Sequence, residues 1–193
     1  MVRRYSRRWL YVAGFGISAV ALCFALFAFF TPSDATPSDA SVWPARIVGT
    51  IHRADAEVGR VTLARRDGQW EGAVGDFPVG TATHFAPDAN HGFFVVHLAD
   101  GRFVALTDRS AHRGQLVRWY DPLPSYDGRW HMAGFVEDAA SSYYTADGQT
   151  LSGPAPRPLD PFPLTVNGER LIVGDRAECP AEAIGMRSWC RDS

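Results

Sequence analysis

The sequence lacks lysine and contains only three cysteines, at positions 23, 179 and 190, among its 193 residues. So few cysteines exclude a cysteine-rich zinc or disulfide scaffold. All 19 basic residues are arginines, and four of them lie within residues 1–8. Every acidic residue follows residue 30, so the chain beyond that point carries a formal charge of −6. A nucleic-acid-binding domain needs a basic face to neutralise phosphates, and this charge argues against nucleic acid as a partner.

Common enzyme signatures are also absent. The chain has no phosphate-binding loop, dinucleotide-binding glycine motif, zinc-protease motif or Gly-x-Ser-x-Gly nucleophile elbow. Long disorder is excluded, because 46% of the residues are apolar and can form a core. At roughly 100–200 residues per domain, the chain has room for one soluble domain. The sequence therefore predicts one folded domain that is not an enzyme.

One long apolar run is present, from Trp9 to Phe30, and it contains no charged residue. As a helix rising 1.5 Å per residue it would be about 33 Å long, enough to cross a hydrocarbon core of about 30 Å. The apolar region of a secretory signal peptide is shorter, about 7–15 residues, and is followed by small residues at a cleavage site. The run here ends in Phe29-Phe30 instead. The sequence predicts a retained single-pass transmembrane helix over residues 9–30.

The residues flanking this run predict its orientation. The arginines of residues 1–8 place the N-terminus in the cytoplasm by the positive-inside rule, so the rest of the chain is predicted to be periplasmic at a bacterial inner membrane. Ser6-Arg7-Arg8-Trp9-Leu10 also resembles a twin-arginine export signal, although the arginines could equally serve only as a topology anchor. Residues 31–42 contain Thr-Pro-Ser-Asp-Ala twice and are predicted to form a semi-extended tether.

Beyond residue 43 the sequence shows short β-rich runs separated by turn residues and no apolar repeat of helical period. Ala99-Asp100-Gly101 is a hairpin signal, and Asn167-Gly168 predicts a type I′ turn, in which both central residues have positive φ. Regular short strands favour an all-β sandwich or barrel. The predicted strands are residues 46–52 and 60–64 (joined across 54–59), 93–98, 102–106, 115–120, 130–136, 164–166 and 170–173, with a short helix or coil over 177–189.

Three segments in order along the chain carry a family resemblance. They are Val74–Thr81, Phe94–Leu106 and Gly148–Asp160, the last of which includes the run Gly153-Pro-Ala-Pro-Arg-Pro-Leu159. Together with the anchor, the tether and the twin arginines, they resemble the Rieske iron–sulfur proteins of quinol–cytochrome c reductases. The resemblance spans residues 74–174 and implies an antiparallel β head. Residues 43–73 would then be an additional β segment and residues 175–193 a C-terminal extension.

The resemblance also implies where a cluster would be held, and there the sequence departs from the family. A Rieske cluster is bound by two thiolates and two imidazoles, which come from two loops. The four corresponding positions are Ser110, His112, Glu137 and Ala140. The two loop-bridging cysteines of the family correspond to Gln115 and Ala139. Only one ligand in four remains, and neither a serine hydroxyl nor alanine replaces a thiolate or an imidazole, so we expect no cofactor and no metal.

Without a cluster the two loops need other contacts. Arg109 and Arg113 could pair with Glu137 across the emptied site, and His112 is expected to hydrogen-bond a loop carbonyl. Cys179 and Cys190 are candidates for a replacement disulfide outside the reducing cytoplasm, with two free thiols as the alternative. Packing against the loops could come from the aromatic residues Trp119, Trp130, Phe135, Tyr143 and Tyr144.

The remaining histidines and serines predict no separate site. His84, His91 and His97 are expected on different segments, and His52 and His131 have no close carboxylate or histidine partner in the sequence. All five are interpreted as packed or surface residues. Ser141-Ser142 is the one serine pair expected near a histidine, and no orienting acid is evident for it.

These observations predict a redox-inactive, Rieske-like accessory subunit of a respiratory or photosynthetic electron-transport complex. Its partners would be the lipid bilayer and multispan membrane subunits. One alternative is a divergent Rieske protein that still holds a [2Fe–2S] cluster, with ligands from another chain. A second alternative is an acidic docking module for a soluble cytochrome, since an acidic surface can steer a basic partner. Close approach of a partner helix would be permitted by the small residues Gly14, Gly16, Ala19, Ala21 and Ala25.

Overall fold

The computed structural model describes residues 43–53, 56–89, 91–124, 131–138 and 142–177. The predicted membrane helix (9–30) and tether (31–42) lie outside these ranges, as does the chain from residue 178 onward, where the sequence predicts a short helix or coil. No helix within the described ranges is long and apolar enough to cross a lipid bilayer.

The described residues form thirteen β-strands and a single turn of 3₁₀-helix at Val74–Asp76. The strands are β1 (Arg46–Arg53), β2 (Ala56–Arg66), β3 (Gln69–Ala73), β4 (Thr81–Phe85), β5 (Phe93–His97), β6 (Phe103–Thr107), β7 (Val117–Tyr120), β8 (Gly134–Glu137), β9 (Tyr143–Thr145), β10 (Thr150–Ser152), β11 (Pro161–Phe162), β12 (Leu164–Asn167) and β13 (Arg170–Gly174). The predicted all-β fold is therefore confirmed for the described residues.

These strands make two antiparallel sheets. The larger has nine strands in the order β11-β6-β5-β4-β1-β2-β3-β13-β12, and the smaller has four in the order β10-β9-β8-β7. Strands β11 and β12 stand at opposite ends of the larger sheet, yet only Pro163 separates them in the chain. The two edges of that sheet therefore come close together, and it forms a nearly closed barrel. Residues 43–73 contribute β1–β3 to this barrel.

Two apolar cores follow from the alternation of side chains along the strands. The interior of the barrel contains Phe93 and Val95 of β5 together with Trp70. The next residues of β5, Phe94 and Val96, belong to the second core, which lies between β4–β6 and the smaller sheet. Strand β5 is thus buried on both faces, which explains why its sequence is apolar at four successive positions. The second core also contains Leu106, Val117, Trp119, Phe135, Tyr144 and Leu159.

The turn between β12 and β13 differs from the prediction. Asn167 pairs with Arg170 in the strand register, so the two central residues are Gly168 and Glu169. Only Gly168 has a positive φ, of 60°. A glycine at the first central position is typical of a type II′ turn, so the predicted type I′ turn at Asn167-Gly168 is wrong.

Two positive φ angles occur instead between β2 and β3. Asp67 has a φ of 49° and Gly68 a φ of 76°, and they lie between the paired residues Arg66 and Gln69. This is the pattern of a type I′ turn, because Asp and Gly tolerate the left-handed region that both central positions require.

Several strand boundaries also differ from the prediction. Strand β2 begins at Ala56, inside the stretch predicted as a connection, and strands β7 and β8 begin later than predicted, at Val117 and Gly134. Strands β3, β4, β9, β10 and β11 were not predicted. The last three contain only two or three residues, which is too short for a recognisable alternation.

Candidate functional site

The first loop of the candidate site lies between β6 and β7 and folds into a tight turn. The N–H of Ser110 donates to the carbonyl of Gln115 at 2.8 Å, and the N–H of Gly114 donates to the carbonyl of Ser110 at 3.1 Å. Arg113 and Gly114 both have positive φ, 65° and 66°. A glycine at position 114 suits this geometry because it has no Cβ to clash in the left-handed region. The turn brings Ser110 inward and leaves the Gln115 side chain exposed.

Ser110 is bonded to a tyrosine of the smaller sheet. Its Oγ lies 2.7 Å from the hydroxyl oxygen of Tyr144 on β9, and both residues are fully buried. The same Oγ accepts a hydrogen bond from the backbone N–H of His112 at 3.0 Å. A buried hydroxyl must find partners of this kind, because burial without them costs free energy. The sequence identified Tyr144 as a packing residue but did not predict this hydrogen bond.

His112 is paired with a buried carboxylate. Its Nδ1 lies 3.2 Å from Oε1 and 3.4 Å from Oε2 of Glu137, the last residue of β8. The glutamate side chain is completely buried, whereas 25% of the histidine side chain is exposed. The structure thus brings together Ser110, His112 and Glu137, three of the four positions that the resemblance assigned to a cluster. The expected bond from His112 to a loop carbonyl is wrong, because the imidazole meets Glu137 instead.

Tyr144 is held in its neutral form. Burial raises the pKa of its hydroxyl, and the nearby Glu137 carboxylate raises that pKa further. Hydrogen bonds with the hydroxyls of Ser110 and Ser142 act in the opposite direction and lower it. The net effect is a raised pKa, so the group remains a hydrogen-bonding phenol over the physiological pH range.

The Pro-rich run, Gly153–Leu159, contacts the second loop, which joins β8 to β9, through the buried Ser142. The N–H of Ala155 donates to Oγ of Ser142 at 3.2 Å, and the carbonyl of Ser142 accepts from the N–H of Glu137 at 2.9 Å. Ser142 therefore connects Ala155 of the Pro-rich run to Glu137, the partner of His112. The Ser142 hydroxyl therefore has a structural role, as the acceptor of the hydrogen bond from Ala155.

The arginines of the first loop lie elsewhere than predicted. The guanidinium of Arg109 donates to the carbonyls of Gly114 (3.4 Å) and Ala89 (3.3 Å), and its Nε lies 3.5 Å from Oδ1 of Asp108. Arg113 is exposed. The side chain beside Glu137 is thus His112, and the expected ion pair of Glu137 with Arg109 or Arg113 is wrong.

A second histidine–carboxylate pair adjoins the first loop. Nε2 of His84 on β4 lies 3.0 Å from Oδ2 of the buried Asp108, and the imidazole stacks on Phe94 at 4.5 Å. His84 pairs with Phe94, and Phe94 pairs with Leu106, two residues before Asp108. The contact therefore depends on the register of three strands, and no local sequence motif signals it.

Two further histidines, His91 and His97, are hydrogen-bonded to protein groups. Nδ1 of His97 lies 2.7 Å from the carbonyl oxygen of Phe77, and Nδ1 of the buried His91 lies 2.7 Å from the carboxylate of Asp88. His84, His91 and His97 lie on β4, in the following loop and on β5, so the prediction that they occupy different segments is confirmed. Within the described ranges, no group of three or more His, Cys, Asp and Glu residues is arranged to hold a metal ion.

Comparisons with known proteins were made at three levels. No family model matches the chain, and no curated protein matches it. Among solved structures, it is similar to the crystal structure of the cyanobacterial plasma membrane Rieske protein PetC3 from Synechocystis PCC 6803. The identity is 22%, the similarity covers 55% of this chain and 85% of that chain, and the TM-score is 0.34.

The described residues at the positions that the resemblance assigns to cluster ligands, Ser110, His112 and Glu137, do not fit a Rieske cluster. Such a cluster takes two thiolates on one iron and two imidazoles on the other. Here the hydroxyl of Ser110 is bonded to Tyr144, and Nδ1 of His112 is directed at Glu137. Of the four expected ligand positions, Ala140 lies outside the described residues, and so does Ala139, which corresponds to one of the bridging cysteines. Cys23, Cys179 and Cys190 also lie there, so the Cys179–Cys190 disulfide stays a prediction.

Proposed function

We propose that the protein is a redox-inactive, Rieske-like accessory subunit of a membrane electron-transport complex, with a structural rather than a catalytic role. The observation that carries this proposal is the pair of contacts Ser110–Tyr144 and His112–Glu137. They occupy the positions at which the resembling family holds iron. The Ser110 hydroxyl, Nδ1 of His112 and the Glu137 carboxylate are therefore engaged with protein groups rather than directed into an open site.

The same contacts explain how the loops could be held without metal. A neutral hydrogen bond contributes about 0.5–1.5 kcal/mol, and one to a charged group about 1.5–3 kcal/mol. Ser110–Tyr144 and His112–Glu137 both run from the first loop to the smaller sheet, and Ser142–Ala155 adds a link to the Pro-rich run. In this proposal the links take over the role that a cluster and an inter-loop disulfide have in the family.

The proposed membrane setting derives from the sequence. The apolar run 9–30 would anchor the chain in a bacterial inner membrane, with the domain on the periplasmic side. A helix with small residues such as Gly14 and Gly16 allows close packing against a multispan partner. The β domain would then cover the outer face of that partner.

Copurification tests the proposed partner. The full chain with a C-terminal tag would be isolated from its native membrane in a gentle detergent, and copurifying proteins identified by mass spectrometry. We expect multispan electron-transfer subunits, and we expect Gly14→Leu/Gly16→Leu to reduce their recovery at least several-fold. Val12→Leu/Val20→Leu is the matched control in the same helix. Recovery of the protein alone would overturn the proposal.

Metal analysis separates this proposal from the divergent electron carrier. The purified full chain should contain no stoichiometric iron or sulfide, and after reduction it should show no rhombic low-temperature electron paramagnetic resonance signal. A rhombic signal with stoichiometric iron and sulfide would mean that the chain holds a cluster, and the redox-inactive role would be wrong.

A further inference from the structure

A cavity whose lining does not include Ser110, His112, Glu137 or Tyr144 adjoins the second core. It has a volume of about 570 Å³ and lies between the larger sheet and the smaller one. This volume is within the range of about 300–1,000 Å³ that is typical of pockets for small organic molecules. Its apolar wall is made of Val96, Leu98, Trp119, Met132, Ala133 and Ala146.

The apolar wall of the cavity is formed by residues of the second core. Val96, Leu98 and Trp119 are buried members of the second core, and Ala133 and Ala146 pack against it. Met132, by contrast, is 45% exposed. An organic ligand in the cavity would therefore rest on a rigid floor and be covered in part by a flexible thioether side chain, which adapts to different shapes.

The rim of the cavity is negatively charged. Three aspartates line it, Asp100, Asp121 and Asp147, together with Arg102. Arg102 is committed to Asp100, since its Nε donates to Oδ2 at 2.8 Å and its backbone N–H to Oδ1 at 3.0 Å. That arginine holds the pKa of Asp100 below its usual range. This pair is therefore electrically balanced.

The other two carboxylates have no such balance. Asp147 accepts a hydrogen bond from the neutral hydroxyl of Thr145. Neither Asp121 nor Asp147 forms a salt bridge with a described residue. They come from different segments, after β7 and after β9, so the fold and not one local motif brings the two charges to the same cavity.

We propose that this cavity binds a small organic cation, an apolar body that carries an ammonium or related positive group. The apolar body would lie on the wall formed by Leu98, Trp119 and Ala146. The cationic group would lie at the rim beside Asp121 and Asp147, which supply the complementary charge. An anion with the same apolar body would meet like charge at the rim and bind more weakly. The residues that line this cavity do not include Ser110, His112, Glu137 or Tyr144, so this proposal is tested separately from the proposed function.

The test uses the full chain in nanodiscs of zwitterionic lipid, with empty nanodiscs as the background. The probe is a diazirine derivative of 4-phenylbutylammonium, and crosslinked peptides are mapped by mass spectrometry. Unmodified 4-phenylbutylammonium and 4-phenylbutyrate then compete for the labelling. We expect labelling of peptides that contain Leu98–Arg102 or Met132–Ala133, and competition by the ammonium at least about fivefold stronger than by the carboxylate.

Variants separate charge from shape. Asp121→Asn/Asp147→Asn should remove the preference for the ammonium. Asp67→Asn/Asp76→Asn removes two exposed charges that do not line the cavity, and it should preserve the preference. Ala146→Leu should reduce the binding of both probes, because the larger side chain fills the cavity. Should the double variant at the rim fail to fold, the comparison of the two probes on the unmodified chain still decides. Equal competition by the ammonium and the carboxylate, or labelling confined to other peptides, would overturn the proposal.

Discussion

The hydroxyl oxygens of Ser110 and Tyr144 lie 2.7 Å apart in the buried region between the first loop and the smaller sheet. Each residue belongs to a different part of the chain, Ser110 to the loop after β6 and Tyr144 to β9. A hydrogen bond between distant segments orders both, and its loss leaves a buried polar atom with fewer partners. The contribution of this contact to the free energy of unfolding can therefore be measured by substituting one of the two residues.

Removing the tyrosine hydroxyl should destabilise the domain. Tyr144→Phe keeps the ring in the second core but removes the partner of Ser110, so we expect the free energy of unfolding to fall by about 1–2 kcal/mol. The measurement is guanidinium unfolding of the full chain in a mild detergent, followed by tryptophan fluorescence, since Trp70 and Trp119 are buried. Tyr120→Phe is the control, because the structure gives its hydroxyl no hydrogen bond with the described residues. Equal effects of the two substitutions would contradict the assigned bond.

The raised pKa of Tyr144 predicts a loss of stability in alkali. In the unfolded chain the phenol ionises near its ordinary pKa of about 10, whereas the folded chain keeps the proton to higher pH. Above about pH 10 the unfolded state therefore binds fewer protons than the folded state, and the free energy of unfolding falls as the pH rises. The contribution is fully present below about pH 10 and is lost as the pH rises toward the folded pKa.

The corresponding experiment compares slopes. The free energy of unfolding would be measured at several pH values between 9 and 11 for the unmodified chain, Tyr144→Phe and Tyr120→Phe. The decline should be shallower in Tyr144→Phe alone, because that variant has no phenol to ionise. Parallel slopes in all three proteins would show that another group is responsible.

The His112–Glu137 pair should be coupled energetically. In His112→Ala the fully buried carboxylate loses its imidazole partner, and we expect destabilisation of about 1–3 kcal/mol. Glu137→Gln removes the charge from the same position, so the double variant should lose less than the sum of the two single variants. A coupling free energy of about 0.5–3 kcal/mol is expected from the double-mutant cycle. Glu169→Gln is the control at an exposed position. If the losses of the two single variants simply added in the double variant, the two side chains would not interact.

Much of the architecture could be predicted from the sequence, because its signals are local. The runs at 46–52, 93–98 and 102–106 are β-rich and bounded by turn residues, and β1, β5 and β6 form there. The Asn167-Gly168 turn was misassigned because a two-residue loop can be placed in two ways on the same sequence, and the strand register decides between them. Short strands such as β11 form only because β6 provides a pairing edge.

The sequence predicted which residues form the candidate site but not which of them bond to each other. The family spacing placed Ser110, His112 and Glu137 at one site, and the structure brings these three together. The hydrogen bonds at this site form between polar groups that are buried away from water. Which groups are buried together is decided by the packing of the whole fold. The contact between His84 and Asp108 was missed for the same reason, since it crosses three strands.

The His84–Asp108 contact can be tested from the backbone side. A Cβ added to Gly92 would lie 1.8 Å from Oδ2 of Asp108 and 2.9 Å from Nε2 of His84, so Gly92→Ala must displace the buried pair or the backbone. We expect a loss of about 1–3 kcal/mol in the free energy of unfolding. Gly75→Ala is the matched control, because nothing lies within 4 Å of its added Cβ, and a change within about 0.5 kcal/mol is expected. If Gly92→Ala were as mild as this control, Asp108 could not occupy the position beside Gly92, and the histidine–aspartate pair would have to be abandoned.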